Sequence, residues 1–139
     1  MTKVNKSMEK KFEFFSTSKD LTQFRDSLKS LLAAAGLGEK KEGEIILAVD
    51  EALTNIVRHA YGHDTGLITV MFFDYEDRIE IFIRDSGKLF DPTKMPPPEL
   101  PPKKPGGLGI YFIQKLMDKV VYQSVPPAVN ELQLTKFKS

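Results

Sequence analysis

The chain has 139 residues, 41% of them hydrophobic and 28% charged, with a formal net charge of +1. Those values fit one soluble globular domain spanning residues 1–139 and give no electrostatic footprint for nucleic acid. Zero cysteines exclude a disulfide framework, a thiolate metal site and a cysteine nucleophile together, which suits a reducing, cytoplasmic setting.

Residues 1–10 are polar and lysine-bearing and are expected to be a solvated tail, neither a signal peptide nor a membrane span. No apolar run approaches the ~20 residues that a spanning helix requires. The aromatic run Phe12-Glu13-Phe14-Phe15 predicts a short first strand. Asp20, with Gln23 three residues on, predicts a capped helix start, and Leu21, Phe24, Leu28, Leu31 and Leu32 share one face before Gly36 and Gly38 end it. A second helix is expected from about Lys41 to Tyr61, with Ile46, Val49, Leu53 and Ile56 in its apolar stripe.

Leu67 to Phe73 and Ile79 to Arg84 then predict a hairpin around the polar turn Asp74–Arg78. The stretch from Pro92 to Pro105 holds seven of the nine prolines. Because proline lacks the amide proton and fixes φ, this segment must be a long loop, and loops of that length in compact domains are usually lids, binding segments or disorder. Gly109 to Val120 predicts a third helix with Ile110, Ile113, Leu116 and Met117 at core spacing. Val120–Val125 and Glu131–Phe137 predict a closing hairpin turned by Pro126-Pro127. Helices and strands are partly segregated. The expected fold is therefore α+β, a two-layer sandwich with a mixed, mostly antiparallel sheet of about five strands and three helices on one face.

Three constellations carry chemistry. Glu51 and Asn55 are at i and i+4, so their side chains leave one helix face, with Arg58 close to the same line and the small Ala48 one turn earlier leaving room for a ligand. A carboxamide oxygen is a hard ligand suited to Mg²⁺, and a neighbouring glutamate can accept a proton from an attacking hydroxyl or water. Taken alone, the same helix also reads as a solvated polar face. Asp85-Ser86-Gly87 follows an apolar strand, so an acceptor-only carboxylate is offered at a strand end beside a glycine over which a flat ring could lie; taken alone it also reads as an ordinary turn. Gly106-Gly107-Leu108-Gly109 opens a helix with unobstructed backbone amides, a phosphate-binding arrangement, but also a plausible hinge. It is neither a Walker loop nor Gly-x-Gly-x-x-Gly. His59 is expected to pack or orient its helix, and His63 lacks partners for a zinc site.

The order Glu-x-x-x-Asn, Asp-x-Gly, a lid, then Gly-Gly-Leu-Gly, from about Glu44 to Phe137, resembles the Bergerat-fold (GHKL) ATPases. Glu51-Ala52-Leu53-Thr54-Asn55 followed by His59-Ala60-Tyr61, with Phe90-Asp91-Pro92 after Asp85-Ser86-Gly87, looks most like the anti-sigma factor serine kinases. That resemblance implies ATP and Mg²⁺ as cofactors, Glu51 as general base and Asn55 as the metal ligand. It implies Asp85 on the adenine amine, Gly87 beneath the ring, Gly106, Gly107, Leu108 and Gly109 against the phosphates, Arg58 reaching phosphate and Thr135 meeting adenine through water. Residues 88–105 take the place of the ATP lid. The implied function is a cytoplasmic protein serine kinase, a homodimer in a partner-switching system, that binds a sigma factor and phosphorylates a serine of an anti-sigma factor antagonist. Leu89 stands where many relatives have a second glycine, and the lid carries Lys103 and Lys104 but no arginine. The alternative is a module that holds nucleotide and sequesters a partner without efficient transfer.

Overall fold

The computed structural model describes residues 5–62, 64–87, 109–125 and 129–139. In chain order, strand β1 (Lys6–Phe15) leads into helices α1 (Ser18–Ala35) and α2 (Glu39–Asn55), and α2 runs on into a π-helical turn (Ile56–Ala60). Strands β2 (Leu67–Tyr75) and β3 (Arg78–Asp85), helix α3 (Gly109–Leu116) and strands β4 (Lys119–Val125) and β5 (Val129–Phe137) follow. The five strands form one sheet in the order β1-β2-β3-β5-β4, and every pairing is antiparallel. The expected α+β sandwich is therefore present, with an antiparallel rather than a mixed sheet.

Alternation along the strands fixes which face is covered. Ile68, Val70 and Phe72 of β2, Ile79, Ile81 and Ile83 of β3, and Leu132 and Leu134 of β5 all point to one side and are buried. They form one cluster with Phe24, Leu28 and Leu32 of α1, Ile45, Val49 and Leu53 of α2, and Ile113 of α3. Phe24, Leu28 and Leu32 recur every four residues, which is why α1 lays a single stripe on the sheet. Among the described residues the opposite face carries a cross-strand ladder instead of helices. There Arg84 Nε donates to Glu131 (2.5 Å), Gln123 donates to the other oxygen of Glu131, and Arg78 Nε (2.7 Å) and Gln133 (3.1 Å) donate to Glu80.

Several boundaries differ from the sequence expectation. Lys6–Lys10, expected as solvated tail, are strand, because β1 pairs with β2 from Lys6↔Tyr75 to Phe15↔Leu67 and its lysines project from a sheet edge. The α1 cap is Thr17, extended at φ −90° and ψ 153°, whose hydroxyl accepts from Asp20 N, while Asp20 Oδ2 accepts from Phe15 N. Asp20 is thus the third residue of the capped turn rather than its first. Gly36 ends the helix at φ 72°, as expected. Helix α3 stops at Leu116, because Lys119 and Val120 enter β4 and pair with Thr135 and Leu134. The turn Pro126-Pro127 and the proline-rich stretch lie outside the described residues.

Candidate functional site

Helix α2 supplies the first wall. Asn55 is its last residue and is buried, while Glu51, one turn earlier, is half-buried. Ala48, expected to leave room for a ligand, is fully buried in the core among the described residues. Beyond Asn55 the helix widens: Tyr61 N donates to Ile56 O (3.0 Å), five residues back. Inserting a π turn shifts everything after it off the α-helical phase. Arg58, half-buried within that turn, therefore leaves the line that Glu51 and Asn55 share. The π turn delivers Tyr61 toward the sheet. Its hydroxyl donates to Leu67 O at the start of β2 (2.5 Å) and accepts from Ser86 N just beyond β3 (3.0 Å).

The end of β3 supplies the second wall. Asp85 is 5% exposed and faces the helix layer, in phase with Ile79, Ile81 and Ile83. Its Oδ1 accepts from Gly87 N (3.0 Å), closing a tight Asx turn, and from Asn130 Nδ2 (2.9 Å). Asn130 lies directly opposite Asp85 in the β3–β5 register, and its Oδ1 accepts from the Tyr122 hydroxyl (2.6 Å). Burial pushes the Asp85 carboxyl above the ordinary aspartate range, and the hydrogen bonds from Asn130 and Gly87 pull partly the other way. Burial likewise raises the Tyr61 phenol, partly opposed by the Ser86 amide, with Asp85 adding to the rise. Tyr61 thus keeps the proton it donates to Leu67.

One expected site residue falls elsewhere. Thr135 pairs with Glu80, five residues along β5 from Asn130, which is roughly 16 Å at ~3.3 Å per residue. The odd offset also turns it to the face away from the helices, so it cannot meet a ligand held by Asp85. Asn130, rather than Thr135, stands opposite Asp85 and bonds to it. Counting the strand register back from Asp85 would have found it, since residues paired across antiparallel strands share a face. Gly109 opens α3, which packs on α2 through the shared core. Gly106, Gly107, Leu108, Phe90-Asp91-Pro92 and His63 lie outside the described residues, as does the His59 side chain.

Among the described residues no three His, Cys, Asp or Glu side chains gather as a metal cluster. A carboxamide and a carboxylate one turn apart fit Mg²⁺, which takes few protein ligands and completes its shell with water and phosphate oxygens. A buried carboxylate acceptor beside a glycine suits a flat ring bearing an amine. No described helix is long and apolar enough to cross a membrane.

The family described as "Histidine kinase-like ATPase domain" matches residues 14–136. The serine-protein kinase RsbW of Bacillus cereus (strain ATCC 10987 / NRS 248) is 44% identical over 84 residues, covering 53% of this chain and 51% of that protein. Its counterpart in Listeria monocytogenes serotype 4a (strain HCC23) is 37% identical over 106 residues, covering 69% and 67%. The chain thus spans about half the length of the Bacillus relative and about two thirds of the Listeria one.

Proposed function

From the chain's membership of the histidine kinase-like ATPase domain family, we propose that it is an ATP-dependent protein serine kinase of a partner-switching system. The observation that carries the reading is the approach of two walls. Glu51 and Asn55 stand at the end of α2, Asp85 stands at the end of β3, and Tyr61 bonds one end to the other. The relatives named serine-protein kinase supply the reaction class.

In this reading Asp85 accepts from the adenine amine, and Gly87 lets the backbone lie against the ring. The amides of Gly106, Gly107, Leu108 and Gly109 hold the phosphates at the start of α3, and Arg58 adds positive charge beside them. Mg²⁺ on Asn55 neutralises charge on the transferring group when bound. Glu51 takes the proton from the target serine as its oxygen bonds to the γ-phosphorus and the bond to ADP breaks. The substrate is a serine on an anti-sigma factor antagonist, the second partner is a sigma factor, and the protein works in the cytoplasm as a homodimer. The proline-rich stretch without arginine favours a second reading, a module that binds ATP and sequesters its partner with little transfer.

The two separate in one experiment. Purified protein is incubated with Mg-ATP and a candidate antagonist, and phosphoserine is followed by mass spectrometry for the native chain and Glu51→Ala. Transfer that disappears in Glu51→Ala while ATP still binds supports the kinase. Tight ATP binding without transfer to any candidate supports the module.

A further inference from the structure

The contacts of Tyr61 reach beyond its own helix. Its phenol takes the Ser86 amide and gives its proton to Leu67 O, so a single oxygen joins the end of the π turn to both β2 and the turn after β3. The ring has a fitted seat. A Cβ at Gly66 would fall 2.3 Å from two of its ring carbons, closer than such atoms approach, so only glycine at 66 leaves space for the ring. Gly66 is itself held, its N–H donating to Ser16 Oγ (2.9 Å) and its carbonyl accepting from Ser16 N (2.9 Å). The clamp also depends on the helical irregularity. The five-residue step from Ile56 O to Tyr61 N, followed by Gly62 at φ 57°, is what turns the phenol toward the sheet.

We propose that Tyr61 is a positioning residue for adenine recognition, fastening the Asp85–Gly87 turn to the helix that carries Glu51 and Asn55. The proposal rests on the reading of this site as a nucleotide site. Asp85 and Glu51 sit on elements with no covalent link shorter than the loop and hairpin between them. A base-recognising carboxylate and a metal-bearing helix must keep their separation for one nucleotide to span both. Tyr61 is placed to hold it. Ser86 N lies between Asp85 and Gly87, so a shift of that amide moves both the carboxylate and the glycine over which the ring would lie.

The test uses the full chain, titrated calorimetrically with Mg-ATP and with Mg-inosine triphosphate, which lacks the exocyclic amine. The variants are Tyr61→Phe, Asp85→Asn and the pair combined, with Gly66→Ala as a second perturbation that displaces the ring and keeps the hydroxyl. Native protein is expected to prefer ATP. Tyr61→Phe is expected to lose about tenfold in ATP affinity, the scale of one or two hydrogen bonds, with little loss for inosine triphosphate. Gly66→Ala should shrink the same preference, and Tyr61→Phe should add nothing once Asp85→Asn is present, the mark of two residues acting through one contact. An unchanged ATP preference in both Tyr61→Phe and Gly66→Ala overturns the positioning role, even if thermal stability falls, and leaves the nucleotide reading standing. A native chain that binds neither nucleotide overturns that reading and this proposal with it.

Discussion

At neutral pH an ionised Asp85 works against folding, because burial raises its carboxyl above the unfolded value. The sign follows from linkage: a raised folded-state pKa gives stability that is complete below the unfolded value and is lost as pH rises through the folded one. Asp85→Asn is therefore expected to melt above the native protein at pH 7, the gap narrowing as the pH falls into the carboxylate range. It should also lose adenine selectivity. That combination, greater stability with poorer recognition, is what a site-bound carboxylate predicts and a structural one does not. Asn130→Ala removes the bonds to Asp85 and Tyr122 together and should cost about 1–3 kcal/mol by chemical denaturation. Residue placement is legible wherever a motif spans one element: Glu51 and Asn55 lie at one helix end and Asp85 at one strand end. Asn130 was not legible, because its partner is 45 residues away and only the strand register brings them together.

Helix and strand ends show what local sequence does and does not specify. The stripe Phe24, Leu28, Leu32 makes α1 readable, and Gly36 stops it at a positive φ that few other residues adopt. Its start was misplaced because Thr17 and Asp20 are both good cap residues, and the choice between them depends on Phe15 N, which is fixed by β1. Thr17→Ala is expected to cost about 1 kcal/mol, measured by thermal unfolding. Asp20→Ala should weaken the junction between β1 and α1 as well. The π turn left no pattern in the residues themselves: Ile56–Ala60 continue a helical run, and the widening follows from where Tyr61 must bond. Helix α3 ended earlier than its apolar spacing suggested, because Val120 pairs with Leu134 and strand pairing prevails there over helical periodicity.

Across the whole molecule, one sheet face is packed by helices and the other is held by charge and aromatic pairs, including Phe73 against Phe82 at 5.6 Å. The α+β class was readable because strands and helices alternate in blocks. The lysine-bearing start reads as a tail although it is strand, because an edge strand needs little hydrophobicity of its own. Lys6, Lys10 and Lys11 on β1 instead protect an exposed sheet edge from pairing with other chains. Replacing Lys10 and Lys11 with valine is expected to raise light scattering during refolding at equal protein concentration. The two walls of the site come from opposite layers of this sandwich, so a ligand spanning them reports on the architecture as a whole. Calorimetric titration of Mg-ATP into the native chain, beside Asn55→Ala and Asp85→Asn, tests that claim most directly. One molecule of ATP bound per chain, with affinity falling at least tenfold in each variant while both remain folded, is the expected result. Binding that is unaffected by either substitution would place the nucleotide elsewhere and contradict the account.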